Sequence, residues 1–591
     1  DTQSVRFGFR DFRFDNGYFR LNGKRIYLRG SLITNWNRVG VRSPYHPDLL
    51  DQDISKLKAM GFNCVRLSLG MAPRRQLDLC DELGLLAYEE TYLAWLLGDS
   101  PYMEERFNRS ISGMIRRDRN HPSVVMWGLL NEKSDTPLFH HAVASLPLVR
   151  SLDEHRMVLL NSGRFDGIVP GGCEGPSTWK IDWRSVPNAT HNGTAQSVYY
   201  QGSTWAPGQF ALHPGNDGEY GVVRWTAPAG GSYALSAGFT GIASPQTTSD
   251  IHIFHNQSSL YDGYLNLHGC GNTASFSHTL SVQAGDTVDV VVGIGNAIPF
   301  GDTTAVALTI GSHNVATEFS TVSNPGGVWT YGYLSPGAAP NLNSFSAYET
   351  KPCEAGVYYG SLSNPGSSGW DDLLSDQHAY RRVPHTAAII NELRTFNGVN
   401  QHVLLSEYGT GGALHLPHLI DLYTQSGAID KGYGPGYQSM MNQFIADWDR
   451  WALAGTFTQY ENFFQQALLK SAQARQLGIN AVRANPNIVG YLLTGTTDEA
   501  VTGLGLLNEF REDKPGMPAV ITDAMSPLRW CLFVEPVHLY RGANVHLEAI
   551  LSNQDVLPAG SYPAQVQIRN EGDAVVWQQN ITVNIGASES S

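Results

Sequence analysis

Two glutamates stand where chemistry could be done. Val124-Val125-Met126-Trp127 is an apolar run with the β-branched content of a buried strand, and after Gly128-Leu129-Leu130 it ends on Asn131-Glu132. Val403-Leu404-Leu405 is a second such run and leads into Ser406-Glu407-Tyr408-Gly409. In a parallel barrel the carboxyl ends of the strands carry the chemistry, while the strands themselves hold the side chains rigid. If both runs belong to one barrel, Glu132 and Glu407 face each other across its mouth, one as general acid/base and the other as nucleophile. Double displacement of this kind needs two carboxyl groups about 5–5.5 Å apart, one ionised and the other protonated at rest. Asn131 is placed to grip a substrate hydroxyl, and neither metal nor cofactor is required.

The elements that position these residues follow a β/α rhythm. A first strand at 26–30 leads to helical spacing over 50–60, which stops at Gly61, a usual helix-capping residue. The second strand, 62–68, carries Arg66, a basic group in a sheet buried on both faces, where an internal ion pair is expected. A short helix over 74–83 ends at Gly84, and the third strand, 85–90, ends on Glu89-Glu90. Glu90 either hydrogen-bonds substrate hydroxyls or balances Arg66. A helix over 101–119 places Arg116, Arg117 and Arg119 near its carboxyl end, where the helix dipole favours cations. After the Glu132 strand come a helix around 139–151 and a fifth strand at 156–161.

Between 166 and 368 the rhythm is lost. Turns such as Asp217-Gly218-Glu219-Tyr220 and Ala284-Gly285-Asp286-Thr287 separate short alternating runs, which predicts an antiparallel sandwich. Trp205, Trp225 and Trp329 lie in it, open to either a core or a sugar-stacking role. The β/α pattern resumes at 370, and Ser375-Asp376-Gln377-His378-Ala379-Tyr380 supplies a sixth strand on which His378 and Tyr380, two apart, share a face. An apolar-periodic stretch over 439–484 predicts a long core-facing helix ended by Pro486, followed by an eighth strand at 488–495. Asp498 comes next, either touching substrate or forming a turn. From 527 onward, alternating runs predict a small β-sandwich.

The order Asn131-Glu132 on a fourth strand and Ser406-Glu407-Tyr408-Gly409 on a seventh resembles the β-galactosidase/β-glucuronidase group, glycoside hydrolase family 2, in the clan of (β/α)8 retaining glycosidases. Arg6-Phe7-Gly8-Phe9-Arg10, Leu28-Arg29-Gly30, Arg119-Asn120-His121-Pro122-Ser123 and Lys514-Pro515 resemble further phrases of that family. The resemblance implies a TIM barrel with Glu132 as acid/base and Glu407 as nucleophile. It also implies support of Glu407 by Arg66 and Tyr380, with His378 nearby. The aromatic residue the family often has near the end of the eighth strand is not matched by Thr494-Gly495. The segment 200–312 resembles jelly-roll modules of the carbohydrate-binding type, so the insertion is expected either to bind sugar or to shape the pocket as a lid.

The expected architecture is therefore multidomain α/β plus all-β. An entry segment at 1–24 leads into a TIM barrel in two parts, 25–165 and 369–525, interrupted by a β-sandwich at 166–368 and followed by a β-sandwich at 526–591. A chain of 591 residues has room for these units. Its 40 Lys+Arg against 54 Asp+Glu, a formal charge of -14, disfavour nucleic acid or an anionic membrane as partner. The expected partner is a glycoside, oligosaccharide or polysaccharide, with a homo-oligomer left open. No apolar run is long enough to span a bilayer and no signal sequence is visible, yet the class suggests a secreted, periplasmic or cell-surface protein. Six cysteines without C-x-x-C spacing point away from zinc and redox motifs, Cys64 reads as a buried thiol, and Cys173 could pair with Cys353. The competing expectations are a catalytically silent carbohydrate-binding or scaffold protein on the same barrel, and a subunit of an extracellular assembly.

Overall fold

The computed structural model describes residues 7–34, 47–92, 100–133, 137–163, 177–180, 186–193, 197–200, 203–215, 217–243, 247–295, 301–348, 362–371, 373–397, 401–499, 502–536, 540 and 542–586. Cys173 and Cys353 lie outside them. The apolar runs form one parallel sheet of eight strands. In chain order these are Leu28–Ile33, Cys64–Leu67, Leu86–Glu90, Val124–Asn131, Met157–Ser162, Leu374–Arg381, His402–Thr410 and Ile488–Leu493. The ladder runs from the sixth strand through the seventh, eighth and first to the fifth, so the first and eighth strands pair directly, Gly490 opposite Leu28. Among the described residues no backbone ladder joins the fifth strand to the sixth. The short strand Leu362–Ser363 instead pairs antiparallel with the fifth, at Leu159 and Val158. The insertion leaves the barrel at this seam.

Helices cover the outside of the barrel. Arg74–Leu83 buries Leu77, Leu79 and Cys80, and stops because Gly84 adopts φ 69, a left-handed conformation costly for a residue with a Cβ. Gly128, midway along the fourth strand, is required by crowding, since a Cβ there would stand 2.6 Å from the Tyr88 ring and 2.8 Å from the Glu90 Cβ. The stretch read as one helix over 439–484 is two, Gly434–Arg450 and Tyr460–Ala484. The break falls at Ala452, which takes φ 50. The entry segment also differs from expectation. Phe12–Asp15, Tyr18–Leu21 and Lys24–Arg25 form a small antiparallel sheet whose Phe12, Phe14 and Phe19 pack with Leu28, Val125, Met157 and Leu404 at the amino-terminal ends of barrel strands. Burial of each phenylalanine stabilises by about 1.5–3 kcal/mol, so the segment is the floor of the barrel.

Apart from the small hairpin Val198–Tyr200 with Ser203–Trp205, the described residues of the insertion form two antiparallel sheets. One contains Gly231–Gly241, Thr273–Val282 and Thr304–Ile310, and the other Tyr220–Thr226, Asp250–His255 and Thr287–Gly293. Val223, Trp225, Ile253, Val290, Trp329 and Tyr331 fill the space between them. Trp205, Trp225 and Trp329 are all fully buried, so they are core residues and present no face to a sugar. At the carboxyl end the described residues form two hairpins, Leu528–Glu535 with His546–Asn553 and Gly560–Arg569 with Val575–Ile585. The first is tied to the barrel by Arg394, whose two terminal nitrogens each lie 2.8 Å from an oxygen of Glu548. Among the described residues no helix is long and apolar enough to cross a membrane.

One buried carboxyl of the insertion sets a pH dependence. Asp302 accepts the backbone N–H and the hydroxyl of Thr248 at Oδ1, each at 3.0 Å, while its Oδ2 is buried without a partner. Burial, with a smaller contribution from Asp250, pushes it up to about 6. The native state therefore binds this proton more tightly than the unfolded chain, whose carboxyl titrates near about 3.9. The resulting stability is fully present below that pH and is lost as the pH rises through about 6. Asp302→Asn is expected to melt later than the parent at neutral pH, by on the order of 2–3 kcal/mol, with the difference vanishing near pH ~4. Thermal melts at the two pH values check this.

Candidate active site

Arg66 is fully buried and reaches three other strands. Its Nε donates to Glu90 Oε1 at 3.2 Å and its Nη2 to Glu90 Oε2 at 3.0 Å, the two-pronged grip that a planar guanidinium makes on a carboxylate. Nη1 donates to Glu407 Oε1 at 3.1 Å and to the Ser406 carbonyl at 3.2 Å. Nη2 also donates to Asn131 Oδ1 at 2.6 Å. Burial alone would drive the proton off this group, but Glu90, Tyr88 and Glu407 outweigh burial and hold Arg66 well above its ordinary range. Glu90 is therefore the counter-ion of Arg66, further engaged by the Tyr88 hydroxyl at 3.3 Å and the Leu69 backbone N–H at 3.2 Å. Because Arg66 occupies the oxygen of the Asn131 amide, the amide nitrogen faces the other way, as a donor.

Glu132 follows the last residue of its strand and takes φ 50, a left-handed conformation in which a residue with a Cβ is strained. Its backbone N–H is held by the Ser162 carbonyl at 2.8 Å, and Asn161 clasps the backbone of Lys133 from both sides, at 3.0 and 2.7 Å. These bonds fix the turn that aims the Glu132 side chain inward. His378 Nδ1 lies 2.5 Å from Glu132 Oε1 and 3.4 Å from Glu407 Oε2. The donor atoms of Glu132, His378 and Glu407 all lie within 4.8 Å of one another. The Tyr380 hydroxyl donates to Glu407 Oε2 and meets Thr494 Oγ1 at 3.3 Å. Burial first, then Glu407, raises the Tyr380 phenol, so it stays a donor at every working pH. His378 is also raised: burial opposes its charge, and Glu407 and the hydrogen bond to Glu132 more than compensate.

Of the residues singled out from the sequence, Glu132, Glu407, Asn131, Arg66, His378, Tyr380 and Glu90 converge here. Asp498 is differently engaged. Its carboxylate is 2.6 Å from Lys514 Nζ and accepts the Gly505 backbone N–H at 2.8 Å, which makes it a staple of the loop after the eighth strand. It lines a cavity of about 210 Å³ together with His415, His418 and Lys514, whose walls include neither glutamate. Three residues of the site were not anticipated: Ser162, Ser406 and Asp376. Asp376 sits two before His378 on the same strand, so the reasoning that paired His378 with Tyr380 applies equally to it. Away from the site, Asp78, Asp81 and His121 form a second group whose donor atoms converge within 4.8 Å.

Residues 12–175 match the family model described as glycosyl hydrolases family 2, TIM barrel domain. The chain is 33% identical over 154 residues to the β-galactosidase BgaC of Bifidobacterium adolescentis, covering 24% of this chain and 15% of that protein. It is 32% identical over 156 residues to a β-galactosidase of Priestia megaterium, again covering 24% of this chain and 15% of that protein. A solved structure of a family 2 β-galacturonidase from Eisenbergiella tayi covers 88% of this chain and 55% of its own, at 13% identity and a TM-score of 0.39. The matches to the two β-galactosidases thus take in 15% of each relative's length. The matching segment contains Arg66, Asn131 and Glu132, so this part of the chain is similar to the TIM barrel domain of glycoside hydrolase family 2.

Proposed function

We propose that the protein is a retaining, exo-acting β-glycosidase that removes terminal β-linked sugars by double displacement. The observation that carries this reading is the approach of the Glu132 and Glu407 carboxylates, with oxygens within 4.8 Å of each other, from the ends of two strands of one barrel. Retaining enzymes hold their carboxyl groups about 5–5.5 Å apart, whereas inverting enzymes leave about 6.5–9.5 Å for a water molecule. Glu407 is the nucleophile. Arg66 and Tyr380 each donate to one of its oxygens, which fixes the carboxyl group and orients one lone pair toward the anomeric carbon. Glu132 gives its proton to the leaving oxygen and afterwards takes one from the attacking water. Asn131 offers its amide nitrogen to the sugar hydroxyl beside the reacting carbon, an interaction that strengthens as positive charge develops there. A β-galactoside or β-glucuronide is the expected substrate, in keeping with the activities for which its relatives are named.

Hydrolysis of a panel of aryl β-glycosides by the parent, beside Glu132→Gln and Glu407→Gln, tests this reading. Cleavage of one sugar by the parent is expected, with kcat/KM lowered by at least about 10³-fold in each variant. A folded parent that leaves every glycoside intact would overturn it. Arg66→Met is expected to cost stability as well as activity, by roughly 3–5 kcal/mol, because it leaves Glu90 and Glu407 as buried charges without their cation. A denaturation midpoint unchanged from the parent would contradict that.

A further inference from the structure

Polar side chains from three barrel strands meet at the seam where no backbone ladder joins the fifth strand to the sixth. His378 Nε2 is 3.1 Å from Ser162 Oγ, and Ser162 Oγ is 2.8 Å from Ser406 Oγ. Burial raises the Asp376 carboxyl, and His378, the neighbouring Ser406 hydroxyl and Arg66 oppose this by favouring its charged form. Asp376 is 7% exposed, accepts the Gly163 backbone N–H at Oδ2 at 3.1 Å, and keeps Oδ1 buried without a partner. At its other end the line reaches Glu132, through the 2.5 Å contact of His378 Nδ1.

The direction of the hydrogen bonds follows from counting hydrogens. A serine hydroxyl has one to give, and an ionised carboxylate has none. Asp376 can therefore only accept, so Ser406 gives its hydrogen to Asp376 and Ser162 gives its own to Ser406. Ser162 has only a lone pair left for His378, which must carry a hydrogen on Nε2. In the neutral ring Nδ1 is then the acceptor, and it is the atom that faces Glu132.

We propose that Asp376, acting through Ser406 and Ser162, is a positioning residue that keeps His378 protonated at Nε2, so that the acid proton of the site passes between His378 Nδ1 and Glu132 during turnover. This rests on the β-glycosidase reading above. The charged and polar groups that face His378 fit it: Glu132, Glu407 and Asp376 favour a proton on the ring, Arg66 opposes it, and Ser162 accepts from it. At rest the ring is a cation between two carboxylates. When Glu407 attacks the anomeric carbon, its charge is consumed in the new ester bond and the ring loses a counter-ion. The Nδ1 proton then moves to Glu132 and on to the glycosidic oxygen as that carbon–oxygen bond breaks, leaving a neutral imidazole. In the second half, water gives a proton to Glu132 while its oxygen bonds the anomeric carbon and the ester bond breaks. The proton returns to Nδ1, so one leaves and one is regained.

Asp376→Asn tests this, because the Asn amide can donate to Ser406, reverse the line and place the neutral ring's hydrogen on Nδ1. Ser406→Ala interrupts the line with a smaller change and serves if the Asn variant does not fold. Both variants are expected to lose roughly 10–100-fold more kcat/KM on phenyl β-glycosides, which need the acid, than on dinitrophenyl β-glycosides, which leave unaided. Recorded above the pH at which the resting cation loses its Nδ1 proton, the two-bond ¹H–¹⁵N correlations of histidine-labelled protein are expected to show His378 as the Nε2–H form in the parent and shifted toward Nδ1–H in Asp376→Asn. Equal losses on the two leaving groups, or a His378 tautomer unchanged by the substitution, would overturn the proposal. If the parent cleaved no glycoside, the β-glycosidase reading would fail separately, and the tautomer measurement would still decide the role of Asp376.

Discussion

A buried guanidinium is tolerable only if every charge and donor around it is matched, and this site is built to that demand. Arg66 stands on the second strand and engages Glu90 on the third, Asn131 on the fourth and Glu407 on the seventh. A lysine could not replace it, since an ammonium is a point charge without the planar fork that takes Glu90 on two nitrogens and leaves a third for Glu407. The network sets the geometry of the chemistry in three ways. It fixes one oxygen of Glu407, it orients the amide of Asn131, and it ties together strands that are not neighbours in the sheet. In return the barrel gives Arg66 an environment from which water is excluded, where each of these bonds is stronger than it would be at the surface.

The carboxylates in contact with this arginine and with His378 bring more negative charge than one guanidinium neutralises. The shared proton between Glu132, His378 and Glu407 answers that excess, and the imidazole is its natural seat because it touches both glutamates. The same seam is where the insertion leaves and re-enters the barrel. With no ladder between the fifth and sixth strands, the side-chain contacts of Ser162, His378 and Asp376, together with the Gly163 N–H, close the cylinder there. Structural closure and proton placement are thus carried by the same few polar groups. A barrel closed by backbone hydrogen bonds alone would have no need of them.

Much of this was legible in the chain. Continuous apolar runs that stop on Asn131-Glu132 and Ser406-Glu407 announce buried strands with polar ends, and the two-residue period places His378 and Tyr380 on one face. Other features left no trace. Ser162 and Ser406 are small polar residues at strand ends, a signal indistinguishable from an ordinary turn. The left-handed backbone of Glu132 and of Ala452 has no glycine or asparagine to mark it, because each is imposed by the surrounding structure. The floor of the barrel was hidden for another reason: its strands are at most four residues long, and only packing against the barrel reveals that Phe12, Phe14 and Phe19 are core. The tryptophans of the insertion could not be sorted from type alone, since an aromatic ring suits a sugar face and a protein core equally well.

The central claim is that Glu407 attacks the anomeric carbon and becomes covalently glycosylated. Incubation with the activated 2-deoxy-2-fluoro derivative of the hydrolysed sugar, followed by peptide mass analysis, tests it most directly. The account predicts one sugar per chain, carried on the peptide containing Glu407, with loss of turnover in proportion to labelling. A label on any other residue, or release of product with inverted anomeric configuration and no label at all, would contradict it.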